Sequence, residues 1–332
     1  MRDPASTVTE TLSWTVVGAV LFGALLHASW NALIRAGSDK ALDTALIHVL
    51  GCIVGAVLFS ALLHASWNAL IKAGRDKALD TALIHLLGCG VGAVLVVVVG
   101  LPDRAAWPWL ATSVCIHIGY YVTLVGAYNH GDLGFSYPIM RGTAPLLVAL
   151  LSGSLIGEHL PLAAWVGVAG ICSGVLLIGL SQAKREGSSR RSALAFALAN
   201  ATIIATYTFV DGLGVRASGN ALQYVALLFL VDGLPYFALV IWQRRADLAP
   251  VRAFMRERWP VALGGSACSL GAYSITLWAM TRAPIASVSA LRETSVLFAT
   301  LIGVLVLHER FRLQRAIGAG AVVAGVMALR LA

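Results

Sequence analysis

The sequence predicts an all-α polytopic membrane protein. Two inverted five-helix repeats make a ten-helix core, and one extra N-terminal helix comes from a duplicated segment. Three observations predict this. The chain is 58% hydrophobic and only 12% charged, against about 25% charged for ordinary soluble domains. Apolar runs of about 20 residues recur from end to end, each long enough to cross roughly 30 Å of hydrocarbon. The stretch Ser136–Glu158 also returns in the second half of the chain as Ser287–Glu309.

Aligned without gaps, those stretches match at Ser136/Ser287, Arg141/Arg292, Thr143/Thr294, Leu146/Leu297, Leu150/Leu301 and Glu158/Glu309. Matching leucines mean little in apolar helices, but the arginines weigh more. A central Arg costs about 2.5–3.5 kcal/mol to insert on translocon-type scales, so two at equivalent depth need a reason. The match runs on through Gly167/Gly318 and Gly174/Gly325. A second match pairs Trp107-Pro108 with Trp259-Pro260, Gly119 with Gly271, and Tyr121 with Tyr273. Each half holds five spans. Five is odd, so the halves must lie in opposite orientations, an architecture typical of transporters.

Taken in order, Trp14–Ile34 is a first span-length run. It belongs to a tandem repeat: Val17–Ile53 recurs as Val54–Gly90 with only five substitutions. Two nearly identical copies do not make a solenoid, which needs at least three. The junction leaves Leu42–Ile71 as one unbroken apolar run, too long for one tidy span. It predicts a single long or bent helix whose part over 51–72 serves as the first core span. The remaining spans are Leu79–Gly100, Ala106–Tyr128, 133–157, Leu162–Ser181, 193–215, 221–242, 259–281, 284–308 and 313–332, with one sizeable loop over 243–259. The domain reading is therefore an extra helix and overhang over 1–50, a first repeat over 51–183 and a second over 192–332.

The net charge of +8 does not signal nucleic acid, because most Lys and Arg sit in short loops between spans. Fifteen of the 24 follow odd-numbered core spans, which places those loops in the cytoplasm. The five cysteines show no CxxC and no histidine cluster at ligand spacing, so neither a metal nor a cofactor is expected. No P-loop or nucleophile–base spacing occurs, and no enzyme is expected.

Several polar residues lie inside the spans. His64, Trp67 and Asn68 share one helix face at i, i+3 and i+4, and Tyr207 and Asp211 share another. His64 and His85 titrate near physiological pH and are candidates for a proton relay, with a structural histidine as the competing reading. Arg141 lies between Pro138 and Pro145, which free backbone carbonyls that must face protein or water. Arg292 adjoins Glu293, but neighbours in a helix do not face each other, so each is expected to find its partner on another helix. Asp232 adds another intramembrane acid. With Tyr137, these residues are the candidate substrate site: an arginine facing a midplane cavity would engage an anionic group such as a carboxylate. A mutually neutralising structural set is the alternative. Glu158 and Glu309 read as solvated caps or gate pairs.

The two five-span halves, the patterns SYPIMRGTAPLLVALLSGSLIGE and RETSVLFATLIGVLVLHERF, and the glycine-rich closing helices WVGVAGICSGVLLIG and AIGAGAVVAGVMALRLA resemble the EamA family of the drug/metabolite transporter superfamily. The resemblance covers roughly 51–332. It implies a ten-helix inverted-repeat fold in an inner membrane, alternating access, and often export of amino acids or other small metabolites. The tandem copy departs from the family's ten-helix pattern. The expected function is secondary transport of a small amino-acid-like or anionic metabolite, by a monomer or homodimer in the lipid bilayer, with protons as a candidate coupling ion. The rival is a membrane-embedded enzyme or a non-transporting assembly protein, whose polar groups would cluster near one face rather than over symmetry-related helices.

Overall fold

The computed structural model describes residues 40–130, 133–180, 190–305 and 313–330. The chain divides into two units, Met1–Cys52 and Ile53–Ala332. Of the first, only the helical backbone of 40–52 is described, so the expected span Trp14–Ile34 lies outside the described residues.

Eleven α-helices carry the described residues. They are α1 (Lys40–Ala73), α2 (Lys77–Val99), α3 (Trp107–His130), α4 (Leu133–Ile156), α5 (Leu162–Leu180), α6 (Arg190–Ala217), α7 (Ala221–Gln243), α8 (Ala249–Met280), α9 (Ile285–Arg292), α10 (Ser295–Leu305) and α11 (Leu313–Arg330). A short 3-10 turn, Arg104–Ala106, leads into α3. Among the described residues, seven segments are long and apolar enough to cross a membrane: Cys52–Ile71, Ala78–Val99, Ser136–Ile156, Leu162–Gly179, Arg191–Ala217, Ala221–Gln243 and Leu313–Arg330. The duplicated junction is one 34-residue helix, α1, and its candidate span is Cys52–Ile71.

Local chemistry sets the helix ends. The Asp76 carboxylate accepts from the Leu79 N–H at the start of α2, and Asn220 Oδ1 accepts from Leu222 and Gln223 at the start of α7, which satisfies donors with no intrahelical partner. Gly219 sits between α6 and α7 at φ +70°, a conformation that favours glycine.

Two sequence expectations need correction. The loop expected over 243–259 is largely helix, because α8 starts at Ala249. Pro250 is tolerated in the first turn, and the charged stretch is amphipathic: Val251 is buried with Phe254 and Met255 packed beside it, while Arg252, Arg256 and Glu257 are exposed. The single span expected over 284–308 is two helices, broken at Glu293–Thr294.

Equivalent helices of the two halves pack antiparallel. Asp76 before α2 pairs with Arg244 after α7 at 2.8 Å, while Gln223 at the start of α7 donates to Val99 O at the end of α2 at 2.6 Å. Likewise Gly167 packs on Gly325 and Gly174 on Gly318, so α5 and α11 run oppositely. The aligned glycines are 167 with 318 and 174 with 325, and exchanging the halves turns one contact into the other. A third pair obeys the same exchange. Ser60 on α1 donates to Ala272 O on α8 at 2.6 Å, and Asn200 on α6 donates to Tyr120 O on α3 at 3.0 Å. The third-span alignment makes Tyr120 and Ala272 equivalent. An inverted repeat requires this pattern.

Close approach of α5 and α11 depends on missing side chains. A Cβ on Gly174 would sit 2.6 Å from Gly318 O, and one on Gly325 would sit 2.6 Å from Gly167 O. Small residues do this work between helices in lipid, where burial of apolar surface gives little drive.

Candidate functional site

The site grows out of the broken helix. Arg141 on α4 and Arg292 at the end of α9 are both buried, and Glu293 between α9 and α10 is 1% exposed. Arg141 Nε lies 2.8 Å from Glu293 Oε2, and Arg292 Nε lies 3.7 Å from Glu293 Oε1. One carboxylate therefore serves two guanidinium groups. The expectation that Arg292 and Glu293 must each find a partner on another helix holds only for Glu293. The helix ends between them, so the i, i+1 separation of a regular helix no longer applies. Thr294 Oγ1 donates to Leu291 O at 2.7 Å, satisfying a carbonyl at the break.

The triad carries one uncompensated positive charge. The Nη2 groups of Arg141 and Arg292 are buried without a hydrogen-bond partner, and unmet charged donors at such a place are costly. Tyr137, Tyr207 and Tyr120 lie within electrostatic reach of Arg141, and His64 within reach of both arginines. His64 Nδ1 accepts from Trp67 Nε1 at 3.3 Å, and Asn68 donates to His64 O at 2.7 Å. His85 stands edge-on to Trp67 and to Tyr236.

Asp211 and Asp232 lie apart from the triad. Asp211 is fully buried, and its two oxygens accept from Tyr224, at 2.9 Å, and from Tyr273. It is sealed by phenols rather than presented to open space. Asp232 on α7 faces His117 on α3, with Nδ1 to Oδ1 at 3.7 Å. His117 stacks on Tyr207 with ring centroids 4.7 Å apart, so Tyr207 stands between the two groups.

The structure thus brings together His64, Tyr137, Arg141, Tyr207, Arg292 and Glu293, and sets Asp211, Asp232 and His85 to one side. Reading the sequence alone missed His117, Tyr120, Tyr224 and Tyr273 as members. A signal was present for two: Ser113, His117 and Tyr120 recur at i, i+4 and i+7, one face of a helix.

Ion pairs join the halves at both ends of the bundle. At the end of the odd-numbered loops, Arg244 meets Asp76 at 2.8 Å and Arg258 meets Asp80 at 3.1 Å. At the opposite end, Glu158 pairs with Arg216 at 2.7 Å and accepts from the Ile285 N–H at 2.8 Å. Arg216 also donates to the carbonyls of Met280 and Ala283. Glu158, expected as a solvated cap or gate pair, thus joins an ion pair and caps the start of α9, while Glu309 lies outside the described residues. Beside this pair, an open cleft of about 600 Å³ is lined by Arg216, Asn220, Trp278, Thr281 and Arg282.

A charged, helix-broken centre between antiparallel repeats is the arrangement of an inverted-repeat transporter. Residues 191–331 match the family described as "EamA-like transporter family". A stretch of 74 residues is 34% identical to "Multidrug transporter EmrE" of Escherichia coli (strain K12), covering 22% of this chain and 66% of that protein. A solved structure described only as "Crystal structure of protein" shares the fold, with a TM-score of 0.68 at 20% identity over 83% of this chain and 98% of its own. The second half of the chain is thus similar to EamA-type transporters, and a shorter stretch is similar to a multidrug transporter. They support a membrane transporter of small molecules.

Proposed function

We propose that the protein is a secondary transporter, working as an exporter, of a small amino-acid-like or anionic metabolite in the cell's inner membrane. The observation that carries this reading is the buried triad of Arg141, Glu293 and Arg292. It holds two positive charges and one negative, so a single carboxylate from the substrate completes it. Charge-assisted hydrogen bonds to planar guanidinium groups suit that anion in geometry as well as charge. His64, Trp67, Asn68, Tyr137 and Tyr207 frame the remainder of the substrate.

Alternating access follows from the ion pairs at the two ends. Opening toward the odd-loop face parts Asp76 from Arg244 and Asp80 from Arg258. Opening toward the other face parts Glu158 from Arg216 and from the start of α9. Because α9 also carries Arg292, the second movement is mechanically tied to the substrate site.

Two experiments test the reading. A thermal-shift screen of the purified protein against a metabolite panel identifies the ligand, and uptake of that ligand into proteoliposomes is then measured. Arg141→Ala abolishes uptake while leaving expression and monodispersity intact. Transport that survives this change would refute the arginine site.

A further inference from the structure

We propose that His117 and Asp232 form a proton-binding site beside the arginine triad, with Nε2 of His117 as the atom that takes the proton. The assignment of atoms follows from hydrogen bonding. His117 Nδ1 lies 2.9 Å from Ser113 O. A carbonyl only accepts, so Nδ1 carries the hydrogen of the neutral ring and the lone pair sits on Nε2. A hydronium ion gives up its proton there: one O–H bond breaks, the Nε2–H bond forms, neutral water leaves and the ring gains the positive charge. That charge forms opposite the Asp232 carboxylate, 3.7 Å from Nδ1. The two side chains keep 12% and 15% of their surface, while Oδ1 of Asp232, the oxygen nearest the ring, is buried. His64 differs on this point: its Nδ1 already accepts from the Trp67 indole.

The groups facing His117 are Tyr120 on its own helix, His85 on α2, Tyr207 and Asp211 on α6 and Asp232 on α7, with Tyr137 of α4 behind Tyr120. Two of them are carboxylates against one other imidazole, so the surroundings accommodate an added cation. An ionisable pair within the membrane is costly to keep without a task. Tyr207 links the two sites: it stacks on His117 at 4.7 Å and stands within electrostatic reach of Arg141 and Arg292. Loading the proton is thus felt where the substrate anion binds. That coupling rests on the transporter reading, whereas the proton site itself does not.

The test uses the full chain in nanodiscs with histidine rings labelled by nitrogen-15, followed from pH 5 to pH 8. One imidazole signal, absent from His117→Gln and showing ring contacts to Tyr207, changes protonation state within this range. In Asp232→Asn its midpoint moves by more than about one pH unit. If His117→Gln does not fold, the Tyr207 contacts alone give the assignment. A His117 signal fixed in one state from pH 5 to pH 8 overturns the proposal, as does a midpoint unmoved in Asp232→Asn. The thermal-shift screen reads the arginine site separately, so a ligand-blind protein with a titrating His117 would sink the transporter reading and leave the proton site standing.

Discussion

The two copies of the arginine-bearing span behave oppositely. The first copy, α4, contains two prolines and is one continuous helix. The second, α9 with α10, has no proline inside it and is broken at Glu293–Thr294. Proline content therefore does not decide where the chain unwinds. One aligned difference adds a formal charge: Gly142 in the first half corresponds to Glu293 in the second. A Cβ on Gly142 would meet the Leu176 side chain at 2.7 Å, so the first half has no room for a side chain there. In the second half the acid is buried between two guanidinium groups, and ending α9 at Arg292 lets neighbouring residues of opposite charge approach. Duplication supplied two arginines at equal depth, and a single asymmetric acid left the pair with one net positive charge.

Removing that acid is the strongest way to break the comparison. Glu293→Ala leaves two buried cations unpaired and costs about 3–5 kcal/mol, read as a large fall in the thermal unfolding midpoint in detergent. Adding Arg141→Met to it recovers part of the loss, and no recovery would mean that Arg141 is held by something other than Glu293.

Filling the space that separates the copies has a smaller effect. Gly142→Ala pushes against Leu176 and destabilises by about 1–3 kcal/mol. Gly174→Val does the same to the α5–α11 contact, and a stable protein carrying it would contradict the antiparallel glycine packing. The half-exposed pair at the odd-loop end is worth less. Asp76→Asn changes stability by about 0–1 kcal/mol, and any larger effect belongs to the conformational equilibrium and appears in transport rate. Smallest of all is deletion of Val17–Ile53, after which uptake is unchanged. A dead protein would show that the first copy of the duplicated segment is integral.

Some of this was legible in the residues. The spacing of Arg141 and Arg292 found both arginines, and the aligned glycines found the closing helices. What misled was regularity itself. A continuous apolar run over 284–308 reads as one span because hydropathy carries no record of a broken helix. The charged run over 243–259 reads as a loop because its four apolar contacts are outnumbered by exposed charges. Asp211 looked like a cavity residue because nothing in its own segment announces Tyr224 or Tyr273, which come from other helices.

By itself the sequence determined that the chain crosses a membrane many times, that its halves are related, and that an odd number of spans inverts one against the other. These follow from composition, period and counting, which are local or additive properties. Only the tertiary structure decided which charges meet: Glu293 with Arg141, Asp232 with His117, Glu158 with Arg216. Such pairings depend on side chains far apart in the chain arriving within a few ångströms. In a medium that penalises every unpaired charge, that proximity separates a structural ion pair from a site with charge to spare.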